Sequence, residues 1–132
     1  MFMKIFFALL LSISLLACGK GNDEPEFTPC PNDLALTISG AYVTGIATFK
    51  PAGSQLATTY DDAVVTVKRV DCNRVQVITT PGTFEADCTQ PVMGTISGTT
   101  GSNAYNYTDA TKTIGVVYTS ANGDVYSFSV SK

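Results

Sequence analysis

The chain has 132 residues, with 8 Lys plus Arg, 11 Asp plus Glu, no His and no Trp, for a formal charge of −3. That length suits a single domain. The missing His excludes Ser-His-Asp and Cys-His nucleophile systems and every His-ligated metal site, and the acidic balance argues against a nucleic-acid partner, which needs a basic face.

Met1 to Lys4 carries one positive charge, Lys4, and Ile5 to Ala17 is an apolar run broken only by Ser12 and Ser14. The run is too short to span a bilayer, which takes about 20 apolar residues, and it suits the apolar region of a signal peptide. It ends Leu15-Leu16-Ala17-Cys18. This tetrapeptide resembles the lipobox of bacterial lipoproteins: Leu three before the Cys, a small residue directly before it, and Cys at the cut. Leu16 departs from the pattern, where Ala, Ser or Thr is commoner.

The resemblance implies that residues 1–17 are removed. It also implies that Cys18 receives acyl chains of the palmitate type on sulfur and nitrogen, and that the bilayer is a partner through that residue. More than one acyl chain gives a stable anchor where a single chain binds marginally. An ordinary signal peptide followed by an incidental Cys is the other reading. Gly19, where Asp is absent, resembles lipoproteins sent on to the outer membrane of the cell envelope. Residues 18–29 form an acidic tether, with Asp23, Glu24 and Glu26 among Gly, Asn and Pro, and little to bury. The acids resemble those that follow the acylated Cys in some surface-exported lipoproteins; a solvated spacer explains them equally.

Residues 30–132 are expected to form one β domain. From Cys18 onward 45 of 115 residues are apolar, about 39%, and all 12 Val lie there with only three Leu. Val and Thr suit a pleated surface, while Leu and Glu, the helix formers, are scarce. In chain order, Leu34 to Phe49 reads as one long strand, or two joined at Gly40 and Gly45. Lys50 to Thr58 is a loop. Thr59 to Val70 is a strand with Val65 and Val67 on one face. Asp71-Cys72-Asn73 is a turn, and Arg74 to Thr80 a strand with Val75 and Val77 in phase. Pro81-Gly82 turns the chain into Thr83 to Cys88, where Phe84, Ala86 and Cys88 share a face. Val92 to Ser97 is a short strand and Gly98 to Ser102 a loop. Asn103 to Thr108, Thr113 to Ser120 and Asp124 to Ser131 complete the series, the last two joined by a type I′ turn at Asn122-Gly123.

About eight strands on short links favour an antiparallel meander, closed into a small β-barrel or split into a two-sheet, Ig-like β-sandwich. The Gly40, Tyr42 and Gly45 pattern, the Val-rich hairpin around Asp71 and the closing hairpin at Asn122-Gly123 resemble lipocalin-like (calycin-like) barrel domains of bacterial lipoproteins. That likeness implies an interior or mouth that holds an apolar ligand, with no binding residue carried over. Tyr105, Tyr107, Tyr118 and Phe128 are inward candidates. They line either an aromatic pocket or a packed core.

Three cysteines remain after Cys18, so at most one internal bridge leaves one spare thiol. A meander brings Cys30, Cys72 and Cys88 to one end. Cys72–Cys88 is the leading pair, with Cys30 as the alternative partner of either. No His or Cys-X-X-Cys supports a catalytic thiol. Asp61-Asp62 is the one adjacent acid pair of the body, with side chains expected on opposite faces. Asp61, Asp62, Asp109 and Asp124 lie in no calcium-loop pattern. Lys68, Arg69 and Arg74 form a small basic group suited to cross-strand pairing with acids. The expectation is a non-enzymatic, membrane-anchored binding module without metal or cofactor. Its partner is a small apolar molecule or, in the alternative reading, an envelope protein that it binds or inhibits, or an adhesin-type surface.

Overall fold

Polar and apolar residues alternate along most of the body, and each alternating run pairs antiparallel with its neighbour. The computed structural model describes residues 30–132. The expected leader (1–17), Cys18 and the tether (18–29) lie outside the described residues. The elements are α1 (Leu34–Ile38), β1 (Gly40–Tyr42), β2 (Thr44–Lys50), β3 (Thr58–Asp61), β4 (Val65–Asp71), β5 (Arg74–Ile78), β6 (Thr83–Asp87), β7 (Thr89–Val92), β8 (Thr95–Thr100), β9 (Asn103–Thr108), β10 (Thr113–Thr119) and β11 (Val125–Ser131). The domain is all-β apart from α1. Its two antiparallel sheets run β1-β4-β5-β6 and β3-β2-β11-β10-β9-β8-β7.

The chain passes between the sheets at three corners: Val43, the segment Asp62–Val64, and Cys88. Neighbours otherwise follow chain order, and β11 returns to pair with β2, Phe128 opposite Ala47. The result is a meander divided at its corners into two sheets instead of one unbroken barrel wall. At the first corner the pairing keeps its register: Tyr42 faces Val65 before it, and Ile46 faces Asp61 after it. The inward face nevertheless changes parity. Tyr42, Ala63 and Val65 are buried on one side, while Ala47 packs on the core from the other. Two consecutive exposed residues, Val43–Thr44, mark the bend on one strand, and on the other the exposed run of β3 ends at Asp62 before buried Ala63. Gly45 allows it, since a Cβ there would stand 2.0 Å from the Ser129 carbonyl oxygen.

One end of the domain is closed by α1. The sequence reading had Leu34 onward as strand; the first turn is instead helical. Asp33 caps it by accepting from the Leu36 N–H at 2.8 Å, and Leu34, Ala35 and Ile38 drop into the sheet interior as one helical stripe. Below it lies the core. The Tyr42 hydroxyl donates to the Ile38 carbonyl at 2.6 Å, and the Tyr42 ring meets Tyr107 edge-on at 6.3 Å. Val65, Val67, Val75, Val77, Ile114 and Val130 are buried in the same core. The Lys132 ammonium lies 5.1 Å from the Tyr42 ring centre and donates to the Ser39 carbonyl at 2.8 Å. The C-terminal residue is thereby fastened to the same end.

Three further expectations are corrected. The disulfide is Cys30–Cys72, with Cα atoms 5.9 Å apart, the alternative pairing and not the leading Cys72–Cys88. The helical turn brings residue 30 back to the β4–β5 hairpin, where the Ala35 N–H donates to the Cys72 carbonyl at 3.1 Å. Cys88 is adjacent, its N–H donating to the Asn73 carbonyl, but at the corner between β6 and β7 its side chain continues the inward face of Phe84 and Ala86, and its thiol is buried and free. Gly98 to Thr100 is strand, not loop: β8 continues to Thr100, with Gly98 opposite Tyr105. The last hairpin is not type I′. The Gly123 N–H donates to the Ser120 carbonyl at 3.0 Å, the Ser120 N–H to Asp124 at 2.9 Å, and Gly123 alone adopts positive φ there, at 90°. That is the three-residue loop in which a type I turn ends in a left-handed Gly.

Candidate ligand cleft

The end opposite α1 is open. β3 is a sheet edge with every residue exposed, and the β5–β6 turn stands across from it. This turn is held by the Thr79 N–H and hydroxyl, both donating to the Gly82 carbonyl at 2.9 and 2.7 Å. The turn approaches Tyr118 closely at Gly82: a Cβ there would stand 2.1 Å from the Tyr118 hydroxyl oxygen, so any larger residue displaces that ring. Between edge and turn is a cleft of about 440 Å³, within the size range of small-molecule sites.

Its floor comes from two neighbouring strands. Ala47 and Phe49 of β2 face Phe128 and Tyr126 of β11 in register, and the Phe49 and Tyr126 rings lie 4.8 Å apart. Ala63 closes the inner wall and Pro81 the turn side. Thr48, Tyr60, Asp61, Asp62 and Thr80 complete the lining; Tyr60 stands opposite Ala47 of the floor, whereas Asp61 stands opposite Ile46 and shares its outer face. Tyr60 keeps 52% of its surface exposed, because no strand covers that side of β3. Asp62 takes the left-handed conformation at φ 60°, which Asp tolerates better than most residues. The lining thus offers apolar contact and aromatic faces. Lys and Arg are absent from it among the described residues, and neither Asp61 nor Asp62 is ion-paired among them.

Of the four aromatic residues singled out from sequence, Phe128 lies in the floor. Tyr118 stands behind it, its ring 6.3 Å from Tyr126. Tyr105 and Tyr107 are core residues away from the cleft. The Tyr105 hydroxyl donates to the Cys88 sulfur at 3.1 Å, and burial, foremost, pushes both groups up from their ordinary pKa values. A thiol held in its protonated form is a poor nucleophile. The Tyr107 hydroxyl donates to Asp109 at 3.1 Å. Phe49, Tyr60 and Tyr126 were not picked out as lining. The one signal for them is the break in alternation at Tyr60-Asp61-Asp62-Ala63, which marks where the wall bends open.

The closed end is built differently. Arg69 reaches Asp33 at 2.8 Å and the Cys30 sulfur at 3.3 Å, so one cation ties the helix cap to the disulfide. Hydrogen bonding from Arg69 holds the Asp33 carboxyl below its usual range. Arg74 pairs across strands with Glu85 at 3.3 Å, as expected for that basic group. A smaller hollow of about 260 Å³ separates α1 from the β7–β8 turn, with Leu34, Ile96 and the exposed Met93 around it. Asp109 on its rim is already paired with Lys112 at 2.5 Å. Among the described residues no three His, Cys, Asp or Glu side chains gather to hold a metal ion, and no helix is long and apolar enough to cross a membrane. No protein-family model, curated protein or solved structure matches the chain.

Proposed function

We propose that the chain is a lipid-anchored envelope protein whose β domain is a non-catalytic binding module for a small, largely apolar molecule. The observation that carries the reading is the open, aromatic-floored cleft between the β3 edge and the β5–β6 turn. Exposed aromatic surface is costly to leave in water, at roughly 25 cal/mol per Å², and a concave site of this size buries a ligand on several sides. The anchor half of the proposal rests on the lipobox-like Leu15-Leu16-Ala17-Cys18. Cys30, where the described body begins, is stapled at the end away from the cleft.

Two experiments test the two halves. The full chain in phosphatidylcholine nanodiscs is dialysed against 1-(2,2-dimethylpropyl)naphthalene, with empty nanodiscs as blank. One saturable equivalent above the blank is expected, weakened at least tenfold by Ala47→Trp, which fills the floor. No binding above the blank contradicts the ligand reading. For the anchor, Cys18→Ala is expected to move the protein out of the membrane fraction, and unchanged membrane association contradicts it.

A further inference from the structure

The two sheets have four edge strands, and three of them are blocked. β1 is only three residues long. It lies beside the C-terminus, where the Val43 N–H donates to the Ser131 carbonyl at 3.0 Å and the Lys132 ammonium to that of Ser39. In β6 the Glu85 and Asp87 carbonyls accept from the Thr100 and Tyr105 hydroxyls of β8 and β9. β7 carries Pro91, and its register with β8 breaks between Thr89 and Val92. Short length, covering, Pro and bulges all keep an edge from pairing with another chain. β3 has none of these devices beyond its modest length. Thr58, Thr59, Tyr60 and Asp61 include no Pro, Lys or Gly, are all exposed, and pair with β2 without a break. Among the described residues no hydrogen bond reaches the far side of this strand. Alternate residues of an antiparallel pair turn N–H and C=O away from the partner, so that side carries a row of open donors and acceptors.

The open edge borders the cleft. Thr58 and Tyr60 stand opposite Phe49 and Ala47 and share their face. A strand added to β3 continues that face, so its alternate side chains enter the cleft beside Tyr60, over the Phe49, Tyr126 and Phe128 floor. Tyr60 on one side and Thr80 and Pro81 on the other line the same hollow, a width that suits one added strand and not the edge of a second domain. We infer that the cleft takes an extended peptide segment, which pairs with the β3 edge and sets apolar side chains at alternate positions on the aromatic floor. This rests on the apolar-cleft reading and names the ligand class. Main-chain hydrogen bonds to β3 supply affinity, and the floor selects the inward side chains.

The test uses the full chain in phosphatidylcholine nanodiscs, with empty nanodiscs as blank, and the peptide acetyl-Gln-Thr-Val-Thr-Phe-Thr-Gln-amide, whose Val and Phe share a face. Two N-methylated forms keep every side chain: one is methylated at Val and Phe, the other at the Thr before each. Successive residues of a strand aim their N–H groups at opposite edges, so each form has one edge blocked. One form is expected to bind at least tenfold more weakly than the parent peptide and the other within threefold. Saturating 1-(2,2-dimethylpropyl)naphthalene should displace the parent. Its binding should slow exchange of the outward amides of Thr58–Asp61 at least tenfold and leave those of β7 unchanged. If the naphthalene binds, three results overturn the inference and leave the apolar cleft standing: no peptide binding, equal loss in both methylated forms, or peptide binding that the naphthalene does not displace. Outward β3 amides already protected without peptide, as by a second copy of the chain, also overturn it. If neither naphthalene nor peptide binds, the cleft reading fails as well.

Discussion

The two ends of the domain place the same kinds of residue in opposite settings. At the closed end Tyr42 and Tyr107 are buried, with hydroxyls bonded to Ile38 and Asp109, and the acid Asp33 is both a helix cap and an ion-pair partner. At the open end Tyr60 is half exposed and Asp61 and Asp62 lack ion pairs among the described residues. Aromatic rings and carboxylates that are fully partnered stabilise a fold. The same groups left unpartnered around a hollow are available to something else. Stability should therefore concentrate at the α1 end and ligand binding at the other, and each can be perturbed without the other.

The largest loss is expected from Tyr42→Ala. It deletes a fully buried ring and leaves the Ile38 carbonyl without its donor, so chemical denaturation should show a loss of about 4 kcal/mol. Removing the disulfide with Cys30→Ser/Cys72→Ser comes next. It opens a loop of 42 residues in sequence separation, and about 2–4 kcal/mol is expected on the chain-entropy account. Tyr105→Phe costs less, about 1 kcal/mol, since one buried hydrogen bond to Cys88 is lost. At the open end, Tyr60→Ser should change stability by no more than about 0.5 kcal/mol while weakening the naphthyl ligand several-fold. A loss of stability at Tyr60 comparable to that at Tyr42 would erase the contrast.

Alkaline pH separates the two ends further. Tyr42, Tyr105, Tyr107 and Cys88 all have pKa values raised in the fold, with burial the first cause in each. Their neutral forms are thus favoured by folding. Their contribution is fully present below the unfolded values, 9.0 for the thiol and 10.0 for the phenols, and is lost as pH rises beyond them. The urea midpoint should fall above pH 9; a midpoint unchanged to pH 11 would contradict the packing described. Asp33 and Asp109 work in the other direction. Their lowered values mean stability present above pH 3.8 and lost as pH falls through the folded pKa.

Most of the sheet was legible from alternation alone. The runs Val75/Val77, Phe84/Ala86/Cys88, Ile114/Val116 and Phe128/Val130 are buried in phase, because a period of two leaves one register that hides them. Helix α1 was missed because five residues carry little periodicity. Its signal was Asp33, a capping residue directly before Leu34 and Ala35. The meander already places all three cysteines at one end, so the choice among them turned on local detail: Cys88 sits at a buried corner position and Cys30 lies against the hairpin tip, where Ala35 bonds Cys72. The cleft was the least legible feature. Its walls come from β2, β3, β11 and the β5–β6 turn, far apart in sequence, and it exists because β3 is a sheet edge with no strand beyond it. Only the interruption at Asp61-Asp62 hints at this locally.

The central claim is that binding belongs to the open end. Alanine methyl groups report on both ends: Ala47 and Ala63 at the cleft, Ala35 and Ala86 in the core near α1. In methyl-labelled full chain in nanodiscs, titration with 1-(2,2-dimethylpropyl)naphthalene should shift the Ala47 and Ala63 resonances and leave Ala35 and Ala86 in place. Shifts confined to Ala35 and Ala86, or no shift at Ala47 and Ala63, would contradict it.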